Sequence, residues 1–293
     1  MHEGVIGQFD SEDGRHHPGY GHAAFGVHQA VVAVSAAILC LAVAGCAEVR
    51  TGAPGQRQAV IDQIVAASAK VVVEQGGRQL GSGSGVVVAS KAGTTYVLSA
   101  AHLVEGKEGA TVFVRFAGAA AGSKKHAAAV IRQGNTETLD LALLKVPGIT
   151  VPVALFPADD QVRIGEEILV VGFPWGKRLG LYGGIVSQVP AEGGEGPATD
   201  EGSEQTIVVD AASARGVSGG GVFREATGSL VGIVEGYQTA SIAVKDRAQT
   251  YSVKVPMPGE TFVVPLTRIR RFLKEAGLRG ASDEGGKSQD RND

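Results

Sequence analysis

Arg215-Gly216-Val217-Ser218-Gly219-Gly220-Gly221 is a serine set in a glycine-rich turn. Strand-like runs flank it, residues 205–210 before and 221–223 after. Glycines on both sides of a serine permit backbone shapes that a side chain forbids. They also let a substrate carbonyl approach main-chain N–H groups. An acyl-transfer nucleophile needs that combination, an exposed Oγ beside a cradle of N–H donors. The same pattern also describes an ordinary turn in a chain with 43 glycines. The rest of the sequence decides between the two.

Around the serine turn, the chain reads as a succession of short strands. Runs at 71–74, 86–89, 95–99, 111–116, 127–131, 141–146, 168–172, 181–186, 206–209, 229–234 and 261–265 are apolar or alternating, with glycine at many of the turns. Helical spacing is confined to the two ends. Val60, Ile61, Ile64 and Val65 share one face of 56–67, and 266–276 is periodic and closes at Gly277. The glycine- and glutamate-rich stretch 190–203 reads as a surface insertion. This pattern predicts an all-β barrel or sandwich, and the lack of βα alternation argues against an α/β-hydrolase with its own serine elbow.

Two residues upstream stand at strand ends. His102 closes the run 96–101, where it is either a satisfied core histidine or a base that switches charge near neutral pH. Asp140 opens the run 141–146. An aspartate there is either a solvated turn residue or a buried carboxylate paired with something, because burying it unpaired is costly. A carboxylate that accepts from a histidine ring fixes its tautomer and stabilises the imidazolium. His126, the other histidine of the body, follows Lys124 and Lys125 and reads as a surface residue.

The N-terminus reads as an export segment. Residues 1–29 carry no apolar period, and five of the seven histidines lie there. Residues 30–47 form a continuous run of small and apolar residues, close to the roughly 20 that a membrane span needs. The run becomes small-residued at Val43-Ala44-Gly45-Cys46, which favours a signal over a span. These four residues resemble a bacterial lipobox, in which the cysteine is lipidated. An uncleaved anchor and ordinary secretion are the alternatives. The n-region has Arg15 as its only Arg or Lys, distant from the apolar run; a later start at Val27 would leave a compact signal, though one without Lys or Arg. Cys40 lies within the removed segment and Cys46 would carry the lipid, so the body has no disulfide and relies on packing. The expected organisation is an extension and signal over 1–46, a tether over 47–55, a peptidase domain over 56–279 and a polar tail over 280–293.

Charge excludes little. The chain has 27 basic and 30 acidic residues; residues 1–45 hold one and four of these, which leaves 26 of each. A balanced body gives no reason to expect nucleic acid as a partner. No cofactor or metal is expected, because the body has no thiol beyond Cys46 and His126 has no partner at ligand spacing.

Together the motifs resemble those of trypsin-like serine peptidases in the bacterial HtrA/Deg-like form. Gly83-Ser84-Gly85-Val86-Val87 through Leu98-Ser99-Ala100-Ala101-His102 resembles the histidine motif. Asp140-Leu141-Ala142-Leu143-Leu144-Lys145 resembles the aspartate motif, and Asp210-Ala211-Ala212 through Gly216-Val217-Ser218-Gly219-Gly220 the serine motif. Val171-Gly172-Phe173-Pro174-Trp175-Gly176, Gly184-Ile185-Val186-Ser187 and Phe262-Val263-Val264-Pro265 also fit. The resemblance covers roughly residues 65–275. It implies two six-stranded antiparallel β-barrels, with His102 and Asp140 in the first and Ser218 in the second. It further implies a Ser-His-Asp triad acting through an acyl-enzyme, an oxyanion hole at Gly216, Val217 and Ser218, and protein or peptide substrates. Ala212 resembles the base of the primary specificity pocket, and Val234, Glu235 and Gly236 its wall. An uncharged base implies a small or apolar residue before the scissile bond, unless Glu235 points inward.

The sequence departs from the family pattern in two places. Val217 stands where digestive members carry an aspartate and HtrA-like members usually an asparagine. A valine cannot pair with a newly cut N-terminus, so activation by that route is not expected. Gly221 replaces the usual proline, which is expected to loosen the turn. No PDZ-like module is expected after the catalytic unit. The leading expectation is a lipid-anchored endopeptidase of the cell envelope; the alternatives are an idle peptidase-like module that binds peptides or partners, and an esterase.

Overall fold

The fold comes from a computed structural model, which describes residues 54–118, 124–190, 206–246 and 249–278. The apolar segment 30–47, Cys46 and most of the 190–203 insertion lie outside these residues. Twelve strands form two closed six-stranded antiparallel barrels, as expected. The first contains β1 (Ser68–Gln75), β2 (Arg78–Lys91), β3 (Thr94–Ser99), β4 (Thr111–Phe116), β5 (His126–Gln133) and β6 (Ala142–Pro147). The second contains β7 (Glu167–Gly172), β8 (Gly180–Gln188), β9 (Ile207–Ala211), β10 (Gly221–Arg224), β11 (Leu230–Asp246) and β12 (Gln249–Pro265). Helix α1 (Pro54–Ala66) precedes the first barrel and α2 (Leu266–Glu275) follows the second.

Each barrel is filled from the inward side of its strands. Val71, Val73, Val87, Val97, Val114, Leu144 and Val146 fill the first. Ile168, Val170, Val186, Val209, Val222 and Val263 fill the second. β-Branched residues suit this surface because they pack well on a pleat. A third apolar layer joins the barrels. Val86, Leu98, Leu141 and Leu143 from one side meet Leu169, Val171, Phe223 and Ile233 from the other, with Ile64 of α1 and Phe272 of α2 closing the ends. Phe223 is fully buried in this layer, and burying such a ring contributes about 2–3 kcal/mol. The apolar faces at the chain ends therefore seal the junction between barrels and so hold the cleft between them.

Two local expectations are corrected. Gly221 does not loosen its turn: it pairs with Val171 on one side and Ile233 on the other. The ring of Phe223 fills the space where a side chain would go, and a Cβ on Gly221 would lie 2.5 Å from ring Cζ. His126 is half-buried, opening β5 with its ring 5.7 Å from that of Phe116. A further feature escaped the strand reading. Beyond Gly236, β11 and β12 continue as a two-stranded ribbon, with Ala240, Ile242 and Val244 opposite Val255, Val253 and Tyr251. Successive side chains alternate faces, so these six share one side of the ribbon. Most of its apolar residues are exposed, and so they give no core signal in the sequence.

Candidate active site

His102 and Asp140 meet because of strand register. β3 pairs with β6 so that Ser99 lies opposite Ala142. His102 stands three residues beyond Ser99, in the short 3-10 turn Ala101–Leu103, and Asp140 stands two before Ala142. Both therefore emerge at the same end of the first barrel. Asp140 is 3% exposed, and both of its oxygens engage His102. Oδ1 accepts the His102 backbone N–H at 2.8 Å, and Oδ2 lies 2.6 Å from the ring Nδ1. An ionised carboxylate only accepts, so Nδ1 carries the proton and Nε2 is left as the acceptor. The imidazole is 43% exposed, which leaves Nε2 open to the cleft.

Ser218 is held by the second barrel and gripped by the first. Gly216 and Gly219 on either side have φ of +97° and +82°, values that only glycine adopts freely. A Cβ on Gly216 would lie 2.6 Å from the Phe173 carbonyl oxygen. The Gly219 N–H donates to Val234 O at 2.7 Å, and the Gly220 N–H to Val217 O at 2.8 Å. From β2 of the other barrel, the Ser84 N–H donates to Ser218 O at 2.9 Å. The buried Ser84 hydroxyl donates to Gly216 O at 2.7 Å and accepts the Phe173 N–H at 2.8 Å. Ser99 in turn donates to Ser84 O at 2.7 Å. No hydrogen bond joins Ser218 Oγ to His102.

The Arg215–Gly216 peptide is also fixed. Its carbonyl accepts the Trp175 N–H at 2.6 Å. In a trans peptide the N–H points opposite to the carbonyl, so the Gly216 N–H faces away from the 173–176 turn. Trp175 itself has φ of +56°, uncommon for a residue with a side chain. The turn is tied to the first barrel by Lys70, whose ammonium donates to Gly176 O. Lys70 is held below the usual lysine range by burial, then by Arg115 and Lys125.

The expected oxyanion donors divide. The Val217 N–H is already committed, donating to Ala214 O at 3.0 Å, so Val217 is corrected as a donor. Its side chain is fully buried in the second barrel's core, so an apolar contact replaces the polar anchor of other members. The N–H groups of Gly216 and Ser218 have no acceptor among the described residues. A cleft of about 510 Å³ opens beside Gly216, Ser218 and His102. Among the expected wall residues, Val234 is corrected. Its side chain is buried in the core, and its N–H and carbonyl pair with Gly220 and Gly219. Glu235 is the unpaired residue of a bulge between Val234 and Gly236. Its carboxyl sits above the usual range, chiefly through burial and then through Asp140, while Arg268 and His102 act in the other direction. Ala212 is exposed, just beyond β9. Cys46 lies outside the described residues. No cluster of metal-ligating side chains occurs among the described residues, and none of their helices is long and apolar enough to cross a membrane.

The trypsin-like peptidase domain family matches residues 83–233, more than half of the chain and the span from Gly83 through Ser218 to Ile233. The chain belongs to that family. As a trypsin-like peptidase domain it has bacterial relatives. It is 33% identical to the serine protease Do-like HtrA of Bacillus subtilis over 156 residues, 52% of this chain and 33% of that protein. It is 31% identical to a probable periplasmic serine endoprotease DegP-like of Hahella chejuensis over 199 residues, 67% and 36% respectively. The chain thus spans about a third of the length of these relatives. Among solved structures, the serine endoprotease from Yersinia pestis has a TM-score of 0.57 at 19% identity, over 76% of this chain and 67% of that one. A serine-to-alanine variant of Rv3671c from M. tuberculosis, in an inactive form, gives 0.53 at 20% over 74% and 90%. At these identities the likeness concerns the fold.

Ser84, Trp175 and Lys70 had no assigned role in the sequence. The available signal was the Gly83-Ser84-Gly85 alternation, in which small residues on a strand mark a close backbone approach.

Proposed function

We propose that the chain is a serine endopeptidase. His102 Nε2 takes the proton from Ser218 Oγ as the oxygen attacks the scissile carbonyl. It then gives that proton to the leaving amine. Asp140 holds the ring in the required tautomer and stabilises the imidazolium. The N–H groups of Gly216 and Ser218 receive the oxyanion, and losing one such donor typically costs about 2.7–4 kcal/mol. Water then cleaves the acyl-enzyme with His102 as base. The observation that carries this reading is the two-point grip of buried Asp140 on His102 beside two uncommitted N–H groups.

The acyl side of the substrate runs along the β11 edge at Glu235 and Gly236, with Ala212 at the base of its pocket. By analogy with relatives described as periplasmic, the protein works outside the cytoplasm, anchored through lipidated Cys46. Labelling with a fluorophosphonate tests the chemistry. The unmutated protein is expected to label, and Ser218→Ala and His102→Ala to abolish it. A folded protein that stays unlabelled from about pH 6 to 9 contradicts the reading. A second reading, a peptide-binding module without turnover, is favoured by the missing Ser218–His102 hydrogen bond, and that unlabelled outcome supports it.

A further inference from the structure

The cleft beside Ser218 and His102 is lined mainly from the first barrel, by the start of β2 and the turn after His102, together with Trp175 and Arg215. Neither Glu235 nor Gly236 lines it. It therefore opens on the side of Ser218 that the first barrel walls, apart from the β11 edge. On the peptidase reading, that edge holds the acyl half of the substrate, so this cleft takes the leaving half, next to the histidine that protonates the amine.

The chemistry of its walls is one-sided. Among the described residues its ionisable side chains are His102, Lys107 and Arg215, and none of those that line it is a carboxylate. Glu105, on the turn between His102 and Lys107, is directed elsewhere, its Oε2 accepting from the Thr136 hydroxyl at 2.9 Å. Lys107 is anchored at the rim, its ammonium donating to His102 O at 3.0 Å and Glu105 O at 3.4 Å. An ammonium has three donors, so one remains for a ligand. The main chain of Arg215 is pinned through the Trp175 N–H, while its side chain is exposed and has no acceptor among the described residues. Lys70 adds a third cation behind the 173–176 turn. A planar guanidinium suits a carboxylate because it can bind both oxygens at once.

We propose that this cleft selects substrates carrying an aspartate or glutamate within the first three positions after the scissile bond, the carboxylate meeting Arg215 and Lys107. Exposed pairs of this kind are weak singly, so two together give about a 3- to 20-fold preference, reduced as salt screens it.

The inference rests on the peptidase reading, and two readouts separate them. The first is kcat/KM for internally quenched peptides that differ only in Glu, Gln or Lys after the scissile bond. The second is binding of the same peptides to Ser218→Ala, followed by fluorescence anisotropy, which needs no turnover. The expected order is Glu over Gln over Lys in both, with the ratio shrinking at higher salt. Arg215→Gln and Lys107→Gln should each narrow the Glu-to-Gln ratio, whatever happens to the absolute rate, and Arg215→Glu should turn the preference towards Lys. Equal treatment of the three peptides, or a ratio unmoved by either glutamine variant, overturns the acidic preference while labelling leaves the peptidase reading intact. An unlabelled protein that still binds in the expected order supports the cleft chemistry and removes the peptidase reading. Absence of both cleavage and binding overturns the two together.

Discussion

Ser84→Ala tests the idea that one barrel shapes the nucleophile turn of the other. The hydroxyl is buried, with the residue 1% exposed, and lies between the Phe173 N–H at 2.8 Å and the Gly216 carbonyl at 2.7 Å. Alanine removes both bonds and leaves a donor and an acceptor in a site that is closed to solvent. An unsatisfied buried group costs about 1–3 kcal/mol, so the variant, with two, is expected to lose about 2–6 kcal/mol. For a body of this size each kcal/mol moves Tm by about 2–4 °C, which predicts a fall of about 4–24 °C. The freed Gly216 carbonyl lets the Gly216–Val217 peptide shift, and with it the adjoining Gly216 and Ser218 N–H groups, for which about 10- to 1,000-fold in kcat is expected, with KM changed less. Thermal unfolding by circular dichroism and steady-state cleavage of a quenched peptide measure the two effects. A Tm within 1 °C of the unmutated protein together with kcat within twofold would refute the reasoning.

Other perturbations follow from the same contacts. Asp140→Asn offers the ring a donor where it needs an acceptor and favours the wrong tautomer, so kcat should drop about 10³- to 10⁴-fold in a folded protein, measured beside the circular dichroism spectrum. Gly216→Ala places a Cβ 2.6 Å from Phe173 O at φ of +97°, so fluorophosphonate labelling should slow at least about 100-fold, and an unchanged rate would contradict the assigned donor. Glu235 has a raised pKa in the fold, so its ionised form is disfavoured there relative to the unfolded chain. That penalty is full above the folded pKa and disappears as pH falls through it. Glu235→Gln should therefore raise Tm at about pH 7–8, with the gain shrinking towards pH 4; a gain independent of pH would point to another cause.

The parts of this site that could be read in the sequence are those whose information is local. His102, Asp140 and Ser218 each stand at the end of a strand-like run, and the apolar residues of β3, β6, β9 and β10 announce those runs. Glycine on both sides of Ser218 is likewise a local signal for unusual backbone. The supporting contacts are different. Ser84 meets Gly216 across 132 positions, and Lys70 meets Gly176 across 106. Neither pairing leaves a mark in spacing, because each depends on how two barrels dock. Val217 shows what spacing leaves out: a polar anchor is absent, and the valine is buried in the barrel core, where it holds the turn by packing. The ribbon beyond Gly236 was missed because its apolar side chains face solvent and therefore bracket no core.

The most direct measurement is active-site titration of the purified chain with a fluorophosphonate, followed by intact mass and peptide mapping. The account predicts one adduct per chain, on Ser218, lost in His102→Ala. Titration to zero in folded protein, or an adduct on another serine, would contradict it.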